Sequence, residues 1–258
     1  MLLKVAIIVL IIYIIVVTRS RIRLPNPALQ ATVDVLQAAT LKDEHVIQMA
    51  RKYIDYADAQ NALLPVDDPY AERLDRLTSR YVAVNGVPLN FRVYKTAQIN
   101  AFATADGSIR IFSGLMDLMN DDELMAIIGH EIGHVARTDT KDALKNAYLR
   151  SAAQNAPGSV SGSVAARLSE SQLAELANSL AQAQYSQKQE YDADEYGFEF
   201  CLKNNVDPYA MYHALDKLAD MSKTNRNNAS AIVKAFATHP DSYKRAQRMK
   251  EKADALQH

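Results

Sequence analysis

Two histidines four residues apart, in His130-Glu131-Ile132-Gly133-His134, constrain this chain more than any other feature. At 3.6 residues per turn, positions i and i+4 share a helix face, so a helix here aims both imidazoles at one metal ion. Glu131 then points to the side of the pair, within reach of a water bound to that ion. Leu124, Ile128, Ile132 and Val135 form an apolar stripe roughly opposite the histidines. Gly129 and Gly133 lie just beside the histidine face, where each costs about 1 kcal/mol of helix stability relative to alanine. Two glycines on one flank predict that another backbone packs closely there.

Two imidazoles do not complete a zinc site, which normally takes three protein ligands plus water. Cys201 has no neighbour at ligand spacing and reads as a core residue. His45, His213 and His258 have no metal-type context. The segment Ser186 to Asp194 is different. Drawn as a helix, Lys188, Asp192, Glu195 and Glu199 make a polar outer stripe, while Glu190, Asp194, Gly197 and Cys201 recur on the opposite side. Two carboxylates on an inward stripe need a metal, a cation or several donors. Zinc accounts for Glu190. Asp194 would accept a hydrogen bond from a ligand histidine or pair with a cation. With His130, His134 and Glu190 as ligands to one zinc ion per chain, Glu131 has the place of a general base.

The 258 residues leave room for one compact domain once an N-terminal segment is set aside. The net charge of −1 implies no polyanion-binding surface and hence no nucleic-acid partner. Leu2 to Val17 is apolar except for Lys4, and Arg19, Arg21 and Arg23 follow. Residues 1–24 therefore read as a single-pass membrane anchor and 25–258 as the catalytic domain. Val16-Val17-Thr18-Arg19 offers no small residues for a signal cut, which leaves a cut elsewhere within residues 18–30 as the alternative, and no cysteine follows for a lipid anchor. The expected location of the domain is the periplasm, with the cytoplasmic side left open by the three arginines.

Pro25-Asn26-Pro27 reads as a stiff linker and Leu41 to Ala62 as a helix. A second helix starts near Pro69 and turns Leu74, Leu77 and Tyr81 inward. Asn85-Gly86 signals a turn, and Leu89 to Tyr94 alternates as a strand. Ile99 to Ala103 and Ser108 to Phe112 form a hairpin across Asp106-Gly107. Asn120 or Asp121 caps the next helix, whose first turn carries Asp122 and Glu123. Beyond Thr138 the pattern is mostly helical, broken at Asn155 to Ser163, which is either a connector or a lid. The basic run Lys244 to Lys252 is the wet face of a terminal helix.

Several motifs occur in order: Asn100-Ala101-Phe102-Ala103, Ser113-Gly114-Leu115-Met116-Asp117, Ile128 to His134, Glu190-x-x-Ala193-Asp194, and Thr238-His239-Pro240 followed by Arg245. Together they resemble the HtpX/CAAX-prenyl-endopeptidase family of gluzincin metallopeptidases from about Leu41 onward. The resemblance implies zinc on His130, His134 and Glu190, Glu131 as base, and residues 100–103 as the cleft edge that aligns an extended substrate. An edge strand has independent sense in that role, since it offers unpaired backbone groups. The resemblance also implies that His239 assists at the oxyanion and that Arg245 pairs with Asp194. The many membrane helices of the prenyl-endopeptidase members are absent, which argues against prenylated substrates.

The expected fold is a mostly helical α+β zincin-like domain with a small sheet from residues 89–112 packed on the H-E-x-x-H helix. The expected function is zinc-dependent endoproteolysis of unfolded or damaged envelope proteins. One rival is a membrane-tethered chaperone or adaptor with a latent or structural zinc site. Another is a zinc hydrolase acting on cell-wall or lipid amides.

Overall fold

In the computed structural model the described residues are 41–154, 168–181, 183–224, 239 and 242–257. The Leu2–Val17 anchor, the Pro25–Pro27 linker, the Asn155–Ser163 break, Thr238, Pro240 and His258 lie outside them. Helices α1 (Asp43–Gln60) and α2 (Pro69–Thr78) come first. Strands β1 (Ala83–Val84), β2 (Val87–Pro88), β3 (Asn90–Tyr94), β4 (Ala101–Ala103) and β5 (Ser108–Phe112) follow. Then come α3 (Ser113–Leu118), α4 (Asp121–Ala136), α5 (Asp139–Gln154), α6 (Glu170–Ala181), α7 (Gln187–Lys203), α8 (Ala210–Thr224) and α9 (Ser242–Asp254). This is the expected mostly helical α+β architecture. Among the described residues, no helix is long and apolar enough to cross a membrane.

The three-stranded sheet has the order β3-β5-β4, with β5 parallel to β3 and antiparallel to β4. Its period of two separates the side chains cleanly. Val93, Ala101, Ile109 and Ile111 join one core with Leu124, Ile128 and Ile132 of α4, and Ala103 packs against it. Tyr94, Phe102, Arg110 and Phe112 take the other face. Tyr94 and Arg110 there hydrogen-bond to Asp58 of α1. Strand β5 is buried along its whole length because both of its faces are covered. β4 lies at the sheet's margin, with one side paired to β5.

Several details differ from the sequence expectation. Asn85 and Gly86, both at positive φ (48° and 78°), close a separate small hairpin of β1 and β2. Asn100 precedes β4, although its carbonyl still accepts the Phe112 N–H at 3.0 Å. Tyr81 lies beyond the end of α2 and is only partly buried.

Reciprocal caps start the two helices that matter most. Asn120 accepts the Glu123 N–H and Glu123 accepts the Asn120 N–H, at 2.8 and 2.9 Å. Ser186 and Gln189 do the same for α7. Helix α4 is buried from Glu123 to Val135, on every face rather than along one stripe. α7 packs along it. A Cβ on Gly197 would lie 3.0 Å from the Ala126 carbonyl oxygen and 3.1 Å from the His130 nitrogen. The closest backbone approach therefore depends on a glycine of α7. Gly129 instead faces the Phe200 ring, and Gly133 faces the Tyr196 side chain with the Ala193 Cα just behind it.

Candidate metal centre

On adjacent turns of α4, His130 Nε2 and His134 Nε2 stand 3.1 Å apart. Glu190, in the first turn of α7, is fully buried against them. Its Oε1 lies 3.5 Å from His134 Nε2 and its Oε2 3.8 Å from His130 Nε2. His239 brings Nδ1 to 2.8 Å from Glu190 Oε1 and 3.3 Å from His130 Nε2. Ligand atoms on a tetrahedral ion with bonds of 2.0–2.1 Å are separated by about 3.3–3.4 Å. One donor atom from each of these four residues lies within 4.8 Å of every other, and the pair distances of 2.8 to 3.8 Å bracket that separation.

The outer nitrogens explain how the rings are held. His130 Nδ1 lies 3.0 Å from Asp194 Oδ1, and His134 Nδ1 lies 3.0 Å from Asp139 Oδ2. Each ring donates its Nδ1–H to a carboxylate, which leaves both Nε2 lone pairs turned toward each other and toward Glu190. Three converging acceptors repel unless a cation sits among them. Arg245 fastens Asp194 through two hydrogen bonds of 2.6 and 2.7 Å and also pairs with Glu190. The site thus holds four buried carboxylates, on Glu131, Asp139, Glu190 and Asp194, and one buried guanidinium, Arg245. That surplus of negative charge suits a divalent ion.

The protonation tendencies show the same demand for positive charge. Burial disfavours a charged His134, yet hydrogen bonds to Asp139 and Glu190 drive its pKa up to about 9. Burial dominates at His130 and pushes it down. Burial would also raise Glu190, but His239, His134 and Arg245 hold it far below the usual carboxylate range. Asp194 is likewise buried, and Arg245 holds it at about 2.

Glu131 sits beside the donor cluster, its Oε1 3.8 Å from His239 Nε2. Both residues line a cavity of about 240 Å³ together with Asn100, Phe102 and Ala103. Asn100 Oδ1 is buried there without a hydrogen-bond partner. Ala101 turns its side chain to the core, where it is 1% exposed, and Ala103 packs against the same core. Cys201 packs among Met211, Leu215 and Phe198. Burial there pushes its thiol up to about 12. His213 is exposed, away from the cluster. On α9, Arg245 faces inward with Ala246, Met249 and Ala253, while Lys244 and Glu251 are exposed.

Two residues of the site escaped sequence reasoning. Asp139 follows a left-handed residue, Thr138 (φ 65°), which turns the chain back toward His134 after α4 has ended. Gln189 Nε2 donates to its other oxygen at 3.0 Å. No spacing rule links a histidine to a carboxylate beyond a helix end. Tyr185 stacks on His134 with centroids 4.0 Å apart and planes 14° from parallel. Its position just before the Ser186 cap carries no signal of that contact.

Residues 70–253 match the model of peptidase family M48. The metalloprotease LoiP of Escherichia coli (strain K12) is 34% identical over 231 residues, covering 89% of each chain. The metalloprotease YcaL of the same organism is 32% identical, over 88% of this chain and 87% of its own. A protease HtpX homolog of Pyrococcus abyssi (strain GE5 / Orsay) is 29% identical, over 72% of this chain and 75% of its own. The chain belongs to peptidase family M48, and it is a metalloprotease with an intact H-E-x-x-H…E metal site.

Proposed function

We propose that this M48 metalloprotease is a membrane-anchored endopeptidase that cuts unfolded or damaged proteins of the cell envelope, using one zinc ion per chain. The observation that carries this reading is the placement of β4, a marginal strand whose residues line the cavity beside Glu131 and the donor cluster. Such an edge pairs only with a segment whose own backbone groups are free, which selects unfolded chain over folded domains. The apolar run Leu2–Val17 supports tethering, with the catalytic domain in the periplasm.

His130, His134 and Glu190 would hold the zinc, with Asp194, Asp139 and Arg245 keeping them in place. Zinc, when bound, polarises the scissile carbonyl and lowers the pKa of water toward neutrality. Glu131 takes the proton of the attacking water and passes it to the leaving amine. Asn100 Oδ1, buried and unpartnered, accepts an amide N–H of the extended substrate. His239 faces the same cavity and assists at the oxyanion.

A second reading, a tethered chaperone or adaptor with a latent site, is favoured by one observation. His239 Nδ1 stands within the donor cluster, and four protein donors make a closed, structural type of site. Metal analysis of the full chain with a casein digest, with and without chelator, separates the two. One zinc and chelator-reversible cleavage are expected. One zinc with no cleavage selects the second reading, and absence of zinc removes both.

A further inference from the structure

Among the described residues three rings approach His134, and they meet it at different angles. His130 stands perpendicular to it with centroids 4.6 Å apart, and His239 is tilted by 43° at 5.3 Å. Tyr185 alone of the three lies flat against it, 14° from parallel at 4.0 Å. The same phenol ring comes within 5.4 Å of the His239 ring and lines the cavity beside Glu131. Tyr185 is half-buried, whereas His134 beneath it is 0% exposed. The phenol therefore covers one face of a buried imidazole.

A hydrogen bond by itself does not fix the plane of an imidazole. Asp139 holds His134 at Nδ1 and so selects the tautomer, but such a bond loses little at angles down to about 150°. The Cβ–Cγ torsion joins an sp³ to an sp² carbon, so its own preference is broad and packing must set the plane. A metal ligand has to be held more narrowly, to about 10–20°. The flat contact with Tyr185 is placed to supply that restraint.

The position of Tyr185 in the chain adds a second connection. Ser186, the next residue, caps α7, and Gln189 in its first turn donates to Asp139 Oδ1 at 3.0 Å. Glu190 follows directly. The start of α7 thus delivers a donor oxygen and supports His134 twice, on its face through Tyr185 and at its edge through Gln189 and Asp139. His130 is held from elsewhere, by Asp194, which Arg245 of α9 fastens.

Resting on the zinc ligands proposed above, we infer that Tyr185 is a positioning residue of the metal centre. Its ring, and not its hydroxyl, fixes the plane of His134 and keeps Nε2 aimed at the ion that Glu190 binds. The stack ties a ligand on α4 to the first turn of α7. A flat ring of that size serves, whereas a branched aliphatic side chain fills the space without presenting a plane.

Three variants of the full chain separate the plane from the bulk and from the hydroxyl. In competition against chelators, Tyr185→Phe should bind zinc within about twofold of wild type, and Tyr185→Leu and Tyr185→Ala about 10- to 100-fold more weakly. Cobalt(II) loaded in place of zinc gives a visible spectrum that follows the geometry of its ligands. Tyr185→Phe should reproduce the wild-type bands, and Tyr185→Leu should shift or weaken them. Thermal unfolding of each variant without metal shows that the fold itself survives. Unchanged zinc affinity and cobalt bands in folded Tyr185→Leu overturn the positioning role. So does a loss of affinity in Tyr185→Phe, because the hydroxyl would then be the working group. Failure of both Tyr185→Leu and Tyr185→Ala to fold without metal makes Tyr185 a plain packing residue and overturns it too. If the wild type binds neither zinc nor cobalt, the zinc reading itself falls and takes the positioning role with it.

Discussion

Asp139 Oδ2 lies 3.0 Å from His134 Nδ1 although α4 has already ended between the two residues. The carboxylate selects the tautomer that presents Nε2 to the metal and makes that nitrogen more basic. Asp139→Ala should therefore lower zinc affinity about 10- to 100-fold with the fold retained. Competition against a graded series of chelators reads this, and unchanged affinity would remove Asp139 from the site.

Glu131, the base of the proposed mechanism, stands outside the donor cluster. Glu131→Gln should keep full zinc content while losing casein cleavage by at least about 100-fold. Retained cleavage by this variant would exclude Glu131 as the base.

His239 is the residue whose two nitrogens face different tasks: Nδ1 meets Glu190, and Nε2 approaches Glu131. As an oxyanion donor, its loss in His239→Ala should lower kcat about 100- to 1000-fold at unchanged zinc content. A rise in activity would instead mean that Nδ1 occupies the position that catalysis needs open.

Gly197 should tolerate no side chain. Alanine there would meet Met211 Cε, a clash that a flexible side chain can relieve, and the α4 backbone at Ala126 and His130 at 3.0 and 3.1 Å, which packed helix backbone yields less readily. Gly197→Ala should cost about 1–3 kcal/mol and weaken zinc binding together. Thermal unfolding and metal competition measured on one preparation check it, and a variant unchanged in both would refute the close approach.

Asp58 supplies a pH signature outside the metal site. Burial pushes its carboxyl up, but hydrogen bonds from Arg110 and Tyr94 outweigh that and hold the pKa below the ordinary 3.8. A carboxylate depressed in the folded state stabilises fully above its unfolded pKa, and that contribution is lost as pH falls through the folded value. Asp58→Asn should thus be destabilised by about 1–3 kcal/mol at neutral pH, leaving a guanidinium that is 4% exposed without its counter-charge. The gap from wild type should close in acid below 3.8. Denaturant melts over a pH series would contradict this if the gap widened on acidification.

Much of the site was legible because helix periodicity is a local property. The spacing of His130 and His134 needed only 3.6 residues per turn, and the sorting of Glu190 and Asp194 from Lys188 and Asp192 needed only the same rule. Asn120 or Asp121 was legible as the start of α4, and the structure selects Asn120 through its reciprocal pair with Glu123. The hairpin at Asp106-Gly107 was readable from turn chemistry, with Gly107 at φ 84°. Asn85-Gly86 was readable as a turn, but not as a hairpin of its own, because strands of two residues carry no alternation to detect.

What the chain's order of residues determined by itself was which side chains can share a face: two imidazoles on one helix, two carboxylates on another, and the period of two that divides β3, β4 and β5. What only the tertiary structure decided was which faces meet. Asp139 reaches His134 through a single left-handed turn, Gly197 lets α7 approach α4, and α1 meets the aromatic side of the sheet to wall a cavity beside Glu131. Faces follow from torsion angles repeated every few residues, whereas their meeting follows from packing between segments far apart in sequence, which no local pattern encodes.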